Sequence, residues 1–115
     1  MSIAGRLSGL VADLKQTGFP VVAGPPHGEF APSAPCYVVG VPTITEVVNA
    51  GTGCEVAGTS VDVYAVPRRG DDPVQLAEMA DTAVGALTGE ITGAVEPSPF
   101  TFIDTYVYRL TVEDL

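Results

Sequence analysis

The sequence predicts an α+β fold: a mainly antiparallel sheet with two helices packed on one face, in a single domain covering residues 1–115. The length of 115 residues is typical of one domain. Two segments repeat apolar residues with the period of an amphipathic helix. The β-branched segments are grouped in runs separated by turn residues instead of alternating singly with helices, which favours antiparallel pairing.

The first predicted helix begins after Ser2, which can cap it, and ends before Gly18. Its apolar stripe consists of Ile3, Leu7, Leu10, Val11 and Leu14. A short strand is predicted at 19–23. Residues 24–35 contain four prolines and two glycines, and because proline lacks the amide that a sheet requires, they predict an extended loop.

Residues 36–48 are rich in strand-forming side chains, but Pro42 interrupts them. This segment is therefore predicted to be either an edge strand or two short strands with a bend. The sequence N-A-G-T-G at 49–53 predicts a hairpin loop before the next strand at 55–66, whose centre alternates polar and apolar residues.

The second predicted helix begins at an N-cap, Asp72, which is followed by Pro73 and, three residues after the cap, by Gln75. Its buried stripe is predicted to contain Leu76, Ala77, Ala80, Ala83, Val84 and Leu87. A weak strand at 91–95 and a strong strand at 101–112 follow. The strong strand carries Ile103 and Val107 among polar residues, which indicates either ordinary surface aliphatics or a face covered by a neighbouring subunit.

The composition excludes several classes of function. Hydrophobic residues make up 46% of the chain, which argues against disorder. Fourteen acidic residues against five basic ones give a net charge of −9, so the chain cannot supply the clustered Lys and Arg of a groove that binds nucleic acid, and the same charge argues against binding to anionic membranes. Such a charge favours solubility, or a surface that repels DNA.

No catalytic, cofactor or metal site is expected. The single histidine, His27, lies in a loop without a recognisable nucleophile nearby, and His27, Glu29 and Cys36 lack the spacing of a zinc site. Asp62 and Asp104 lie inside predicted strands, where solvent-facing charge explains them more simply than paired acid–base chemistry. We therefore expect a protein without enzymatic activity.

The two cysteines, Cys36 and Cys54, form no C-x-x-C motif and are expected to be ordinary reduced thiols. The first fifteen residues read as a helix rather than a signal peptide, and no apolar run approaches the roughly 18 residues of a membrane span.

The string V-D-V-Y-A-V-P-R-R-G-D-D at 61–72, which runs into an alanine-rich helix ending at Leu87, resembles the central strand, turn and helix of tail terminator proteins of long-tailed phages, most closely those of actinobacteriophages. The run A-P-C-Y-V-V-G-V-P at 34–42 and the last strand agree with that family's order of elements. The resemblance covers nearly the whole chain.

The resemblance implies a structural virion protein, assembled in the host cytoplasm and located at the head-proximal end of the tail. Such proteins form a homohexameric ring that ends polymerisation of the tail tube and binds head–tail connector or neck proteins. DNA passes through the lumen without specific binding. The family has no catalytic residues, so the resemblance transfers none to this chain.

Two groups of residues are predicted to contact other subunits. The first group lies in the turn before the second helix and is expected to form rim contacts: Arg68, Arg69, Asp71 and Asp72. The second group lies on the outer face of the last strand: Ile103, Val107 and Arg109. For the arginine pair, a solvated turn with local aspartate partners is the alternative interpretation.

Other functions stay open at this point. The chain can be a different head–tail connector or neck subunit, a small ligand-binding or regulatory α+β module, or an enzyme whose site the sequence does not reveal. A ring predicts a native mass near six copies, whereas a binding module predicts a monomer or dimer.

Overall fold

The structure is a computed structural model that describes residues 2–23, 35–68, 70–100 and 104–114. In chain order, these residues form α1 (Ile3–Lys15), β1 (Val21–Ala23), β2 (Cys36–Val39), β3 (Thr43–Asn49), β4 (Cys54–Val66), α2 (Pro73–Ala86), β5 (Glu90–Pro97) and β6 (Tyr106–Asp114). The predicted α+β class is confirmed. The predicted loop at 24–35 lies almost entirely outside the described residues.

The six described strands form one sheet in the order β1-β2-β4-β6-β5, and β3 also pairs with β4. Only β1 and β2 run parallel. Both β2 and β3 lie along the same edge of β4, because the chain bends between Gly40 and Pro42 and then continues in the same direction. Of the two alternatives that Pro42 left open, the structure therefore contains two short strands with a bend.

Both helices pack on one face of the sheet, where they cover the main hydrophobic core. α1 contributes Leu10 and Leu14, and α2 contributes Leu76, Met79 and Ala83. The matching sheet residues come from alternate positions of the strands: Tyr37, Val39, Val61, Val63, Ala65, Leu110 and Val112. Burial of one stripe against the sheet explains the pattern of α1. In α2, Leu76, Ala80, Ala83 and Leu87 are buried as predicted, but the prediction is wrong for Ala77 and Val84, which are exposed, and Met79 is buried in the core instead.

Both helices begin at the predicted caps. The Ser2 side chain accepts a hydrogen bond from the Gly5 amide at 2.9 Å. Asp72 accepts from the Gln75 amide at 2.9 Å, and the Asp72 amide donates to the Gln75 side chain at 2.8 Å, which completes the predicted capping box. After α2, Gly89 has φ +109°, and a side chain there would approach the Glu113 carbonyl oxygen to 2.6 Å.

A small second cluster lies on the face of the sheet away from the helices. Cys36, Val38, Val66 and Val107 are fully buried there, and Tyr64 and Phe100 pack against them. The two rings meet edge to face, with centroids 5.1 Å apart. The mixed outer face predicted for the last strand is therefore covered at Val107 by residues of the same chain.

The last two strands differ from their predicted extents. β5 is longer than the weak strand predicted at 91–95 and pairs with β6 at all eight of its positions. β6 begins at Tyr106, and beyond its first pair, Pro97 with Tyr106, the Ser98 amide donates a hydrogen bond to the Thr105 carbonyl oxygen at 2.9 Å. Ile103 lies outside the described residues.

Candidate functional site

The turn that carries the first group of predicted contact residues is closed by its own hydrogen bonds. The Arg68 amide donates to Asp71 Oδ2 at 2.8 Å, and the Asp71 amide donates to the Arg68 carbonyl at 3.1 Å. Asp72 is engaged in the helix cap. Arg68 and Asp72 remain exposed, whereas Asp71 is half-buried and Arg69 lies outside the described residues. The two aspartates therefore have local structural roles in addition to any contact role.

Of the second predicted group, the structure describes Val107 and Arg109. Val107 is completely buried within its own chain, so its side chain is not available to a neighbouring subunit, and the prediction is wrong for this residue. Arg109 lies two residues further on and approaches Glu96 to 3.4 Å. Because Tyr108 packs against the helix-side core, Arg109 points to the opposite face, away from α2 and its preceding turn.

An apolar groove lies beside the first group, between the start of α2 and the paired strands β5 and β6. It has a volume of about 310 Å³, and its charged lining residues are Asp71 and Asp72. Its apolar lining comes from Pro67, Leu76, Ala77, Val95, Tyr106 and Tyr108. Val95 is 53% exposed and Tyr106 is 59% exposed, so this lining is open to solvent in the single chain. We call this surface the groove.

A second exposed apolar surface lies on the hairpin formed by β3 and the start of β4, residues 43–56, which we call the arm. Every residue of β3 is exposed. Ile44, Val47 and Val48 are large hydrophobic residues among them, and Val47 is 52% exposed. Val47 and Val48 are neighbours in a regular part of the strand, so they point to opposite sides of the arm.

The tip of the arm forms the hairpin turn that the sequence predicted. The Ala50 amide donates to the Gly53 carbonyl at 2.8 Å, and the Asn49 side chain accepts from the Gly51 amide at 3.1 Å. Gly51 has φ +83°, which glycine adopts without strain. The hairpin is confirmed, but its apolar exposure was missed. The signal was the adjacent pair Val47-Val48, which breaks the alternation of a strand with one buried face.

A third feature is a more polar cleft of about 460 Å³ on the face away from the helices, lined in part by Thr43, Ser60, Asp62, Tyr64 and Phe100. Asp62 Oδ1 accepts a hydrogen bond from the Thr111 hydroxyl at 2.9 Å. Burial raises the pKa of Tyr64, and the negative charges of Asp62 and Glu96 add to this effect while Arg109 opposes it. The cleft can hold a small polar molecule, and Asp62 and Tyr64 are the ionisable side chains among its described lining residues.

The described residues contain no group of three or more His, Cys, Asp or Glu side chains that could hold a metal ion. His27 and Glu29, two members of the trio considered above, lie outside those residues. Cys36 is buried and Cys54 is exposed, and both are free thiols. Burial raises the pKa of Cys36 to about 11, so this thiol is protonated and unreactive at neutral pH.

No helix among residues 2–23, 35–68, 70–100 and 104–114 is long and apolar enough to cross a membrane. No protein-family model matches the chain, and no curated protein or solved structure matches it significantly.

Proposed function

We propose that this chain is a structural virion protein that forms a ring, caps the tail tube of a long-tailed phage at its head-proximal end and joins the tube to the neck. The observation that carries the proposal is the presence of two different exposed apolar surfaces, the arm and the groove, on one small acidic chain. Solvent-exposed apolar patches of this kind mark contact sites between proteins.

The positions of the two surfaces favour head-to-tail association. The arm contains the start of β4 and lies on the β2 side of that strand, whereas the groove lies beyond the end of β4, on the β5 side. β4 has thirteen residues and is therefore about 40 Å long, within a molecule whose longest dimension is 53 Å. Two unlike patches at opposite corners support repeated heterologous contacts, which close into a ring when the rotation permits it.

The charge of the chain agrees with a pore through which DNA slides. Each copy carries a net charge of −9. Among the described residues of β4, β5 and β6, the open face of the sheet carries Asp62, Glu90, Glu96 and Glu113 with one cation, Arg109, because these residues occupy matching positions of the three strands. A face of this charge repels the phosphate backbone and gives it no site to bind.

Assembly is tested by native mass spectrometry and negative-stain imaging over a range of protein concentrations, with and without isolated tail tubes. We expect rings of about six copies, in solution or on the end of a tube, and tubes that no longer elongate once capped. A protein that stays monomeric at all concentrations and never binds tubes would overturn the proposal.

The turn residues provide a second test. Reversal of Arg68 and Arg69 to Glu should weaken assembly while the monomer remains folded, because the turn borders the groove. Arg68→Glu alone should act in the same direction, and Lys15→Glu, an equal charge reversal at the exposed end of α1, should leave assembly unchanged. Equal assembly of the Arg68 and Lys15 variants would discard the turn as a rim contact.

Two alternatives have their own support. A different head–tail connector or neck subunit would use the same apolar surfaces but bind the head side without capping tubes. A small ligand-binding module is favoured by the polar cleft beside Asp62 and Tyr64. That module predicts a monomer or dimer whose melting temperature rises with a small polar ligand and does not depend on protein concentration.

A further inference from the structure

The polar cleft on the open face of the sheet is built around one aspartate of β4. Asp62 shares that face of the strand with Ser60 and Tyr64, because side chains two residues apart point the same way. Thr43 of β3 is paired directly opposite Ser60. The cleft has a volume of about 460 Å³, inside the range of roughly 300–1,000 Å³ that small-molecule sites occupy. One carboxylate and several hydroxyl groups therefore line a space of the size that a small molecule needs.

The position of Asp62 is fixed by hydrogen bonds to its side chain and to its main chain. Its Oδ1 accepts a hydrogen bond from the Thr111 hydroxyl at 2.9 Å, since Thr111 lies opposite Asp62 in the pairing of β4 with β6. The Gly40 amide donates to the main-chain carbonyl oxygen of Asp62 at 2.8 Å, at the point where the chain leaves β2. The bond from Thr111 uses one of the several acceptor positions of a carboxylate, so Asp62 keeps the capacity to accept from a ligand.

Two aromatic rings line the end of the cleft away from Ser60. Tyr64 and Phe100 meet edge to face, with their centroids 5.1 Å apart. Phe100 is held in turn by Ser98, whose hydroxyl oxygen accepts a hydrogen bond from the Phe100 amide at 3.1 Å. Because burial raises the pKa of Tyr64, its hydroxyl is uncharged at neutral pH. This end of the cleft thus presents aromatic surface beside a carboxylate.

The charges around the cleft favour a cation as its ligand. Asp62 is negatively charged at neutral pH, and the chain as a whole carries a net charge of −9. Arg109, opposite Tyr64 on β6, approaches Glu96 to 3.4 Å, so a carboxylate offsets its charge beside the cleft. A surface of this sign raises the local concentration of cations, and aromatic rings attract ammonium and guanidinium groups.

We propose that the polar cleft binds a small organic cation, with its ammonium or guanidinium group hydrogen-bonded to Asp62 and its apolar part against Tyr64 and Phe100. A neutral molecule such as a sugar would gain the contacts with the hydroxyl groups but not the attraction to the carboxylate. The inference stands apart from the proposed ring, because every residue that it uses belongs to one chain.

A series of four-carbon ligands tests the sign of the charge on the unmodified protein. The ligands n-butylammonium, n-butylguanidinium, 1-butanol and butyrate share an aliphatic stem and differ in their head groups. Ligand-observed NMR measures their binding to a monomer and to a ring alike. We expect saturable binding of both cations, with dissociation constants at least about tenfold lower than those of 1-butanol and butyrate. Equal binding of 1-butanol and n-butylammonium, or tighter binding of glucose than of either cation, would overturn the proposal.

An asparagine variant tests the location of the site. Asp62→Asn keeps an oxygen for the Thr111 hydroxyl and removes the negative charge, so the dissociation constant of n-butylammonium should rise at least about fivefold. Asp81→Asn makes the same change in net charge at an exposed position of α2, on the other side of the sheet, and should leave that constant unchanged. Equal weakening by both variants would show that the net charge of the chain attracts the cations, and no site at Asp62 would remain.

A leucine variant tests the aromatic wall and does not depend on the folding of the Asp62 variant. Phe100→Leu keeps an apolar side chain against Tyr64 but lacks a ring, so the preference for n-butylammonium over 1-butanol should fall at least about twofold. Phe19→Leu removes a ring from the helix side of the sheet and should keep the full preference. An equal preference in the two leucine variants would overturn the aromatic contact.

Two comparisons define the source of the cation and separate this inference from the proposed function. Tighter binding of N-acetyl-lysine methylamide than of n-butylammonium would show that the cleft takes a lysine side chain of another protein, and would overturn the small-molecule assignment. Rings that form while neither cation binds would overturn this inference and leave the ring proposal intact. Cation binding by a protein that never assembles, alone or with tubes, would support this inference and overturn the ring.

Discussion

The hydroxyl group of Tyr37 in β2 donates a hydrogen bond to the main-chain carbonyl oxygen of Met79 in α2, at a distance of 2.7 Å. Both residues are buried, and Tyr37 also meets the ring of Phe19 edge to face with centroids 5.4 Å apart. One side chain thus joins the sheet, the second helix and the segment after α1. This contact fixes α2 over β2 and therefore positions the start of α2 that borders the groove.

Tyr37→Phe should lower the free energy of unfolding by about 1 kcal/mol, because it removes one buried hydrogen bond and keeps the ring. Urea denaturation of the monomer measures this difference. Tyr106→Phe is the matched control, since its hydroxyl belongs to a side chain that is 59% exposed, and it should change stability by less than about 0.5 kcal/mol. Equal effects of the two substitutions would contradict the role assigned to the bond.

Alkaline pH should destabilise the fold through two buried acids. Burial raises the pKa of Cys36 from 9.0 to about 11 and the pKa of Tyr37 from 10.0 to about 12. Both groups stay protonated in the folded state after they ionise in the unfolded state. The contribution of these two groups to the free energy of unfolding is therefore fully present below pH 9. It is lost as pH rises toward 12, at roughly 1.4 kcal/mol per pH unit for each group.

Denaturation midpoints measured between pH 8 and 12 test this window. The Tyr37→Phe variant should lose less stability than the unmodified protein between pH 10 and 12, because it lacks one of the groups whose pKa burial raises. Identical slopes in that interval would show that Tyr37 ionises equally in the folded and unfolded states.

The buried hydroxyl group of Thr59 makes no hydrogen bond within the described part of the chain. The side chain is 1% exposed, and its oxygen has no hydrogen-bond partner among the described residues. Thr59→Val keeps the shape and replaces the hydroxyl with a methyl group, so we expect the melting temperature to rise by an amount equivalent to about 1 kcal/mol.

Thr111→Val is the control, and it should lower the stability that Thr59→Val raises. The Thr111 hydroxyl donates to Asp62 at 2.9 Å, and its removal should cost about 1 kcal/mol. If thermal scans show that both threonine-to-valine variants are destabilised to the same extent, the hydroxyl of Thr59 has a partner after all.

Asp72 should stabilise α2 mainly by accepting a hydrogen bond with its side-chain oxygen and less by its negative charge. Asp72→Ala removes the cap of α2 and should cost about 1 kcal/mol in chemical denaturation. Asp72→Asn keeps an acceptor for the Gln75 amide, so it should lower the free energy of unfolding by only a few tenths of that amount. If the asparagine variant is nevertheless impaired in assembly, the charge of Asp72 acts at a subunit contact, as the sequence suggested.

Local chemistry made several features predictable. Ser2 and Asp72 mark the starts of the helices because a cap needs only the few residues that follow it. The sequence N-A-G-T-G predicted the hairpin because turn geometry is also local, and Pro42 limited residues 36–48 to an edge strand or two short strands with a bend because proline lacks the amide of a strand interior. The apolar periods of the helices then fixed which side of each faces the sheet.

Two valines show that the burial of a strand residue cannot be predicted from its neighbours in sequence alone. Val107 and Val47 both lie in strands, yet the side chain of Val107 is completely buried and that of Val47 is 52% exposed. The difference arises from distant parts of the chain: Tyr64 and Phe100 pack against the cluster that contains Val107, whereas all seven residues of β3 are exposed. Exposure of a strand depends on which elements pack over it, and that depends on pairing between residues far apart in sequence.

By itself, the sequence determined the fold class, the two helices with their caps, the interruption of the strand at Pro42 and the hairpin, because the patterns that predict them lie within short segments of the chain. It also determined the acidic charge of the chain. Only the tertiary structure decided that Val107 is internal, that Arg109 points away from α2, and that the arm and the groove lie at opposite corners. These are relations between segments separated by dozens of residues, and they exist only once the six strands are placed in order.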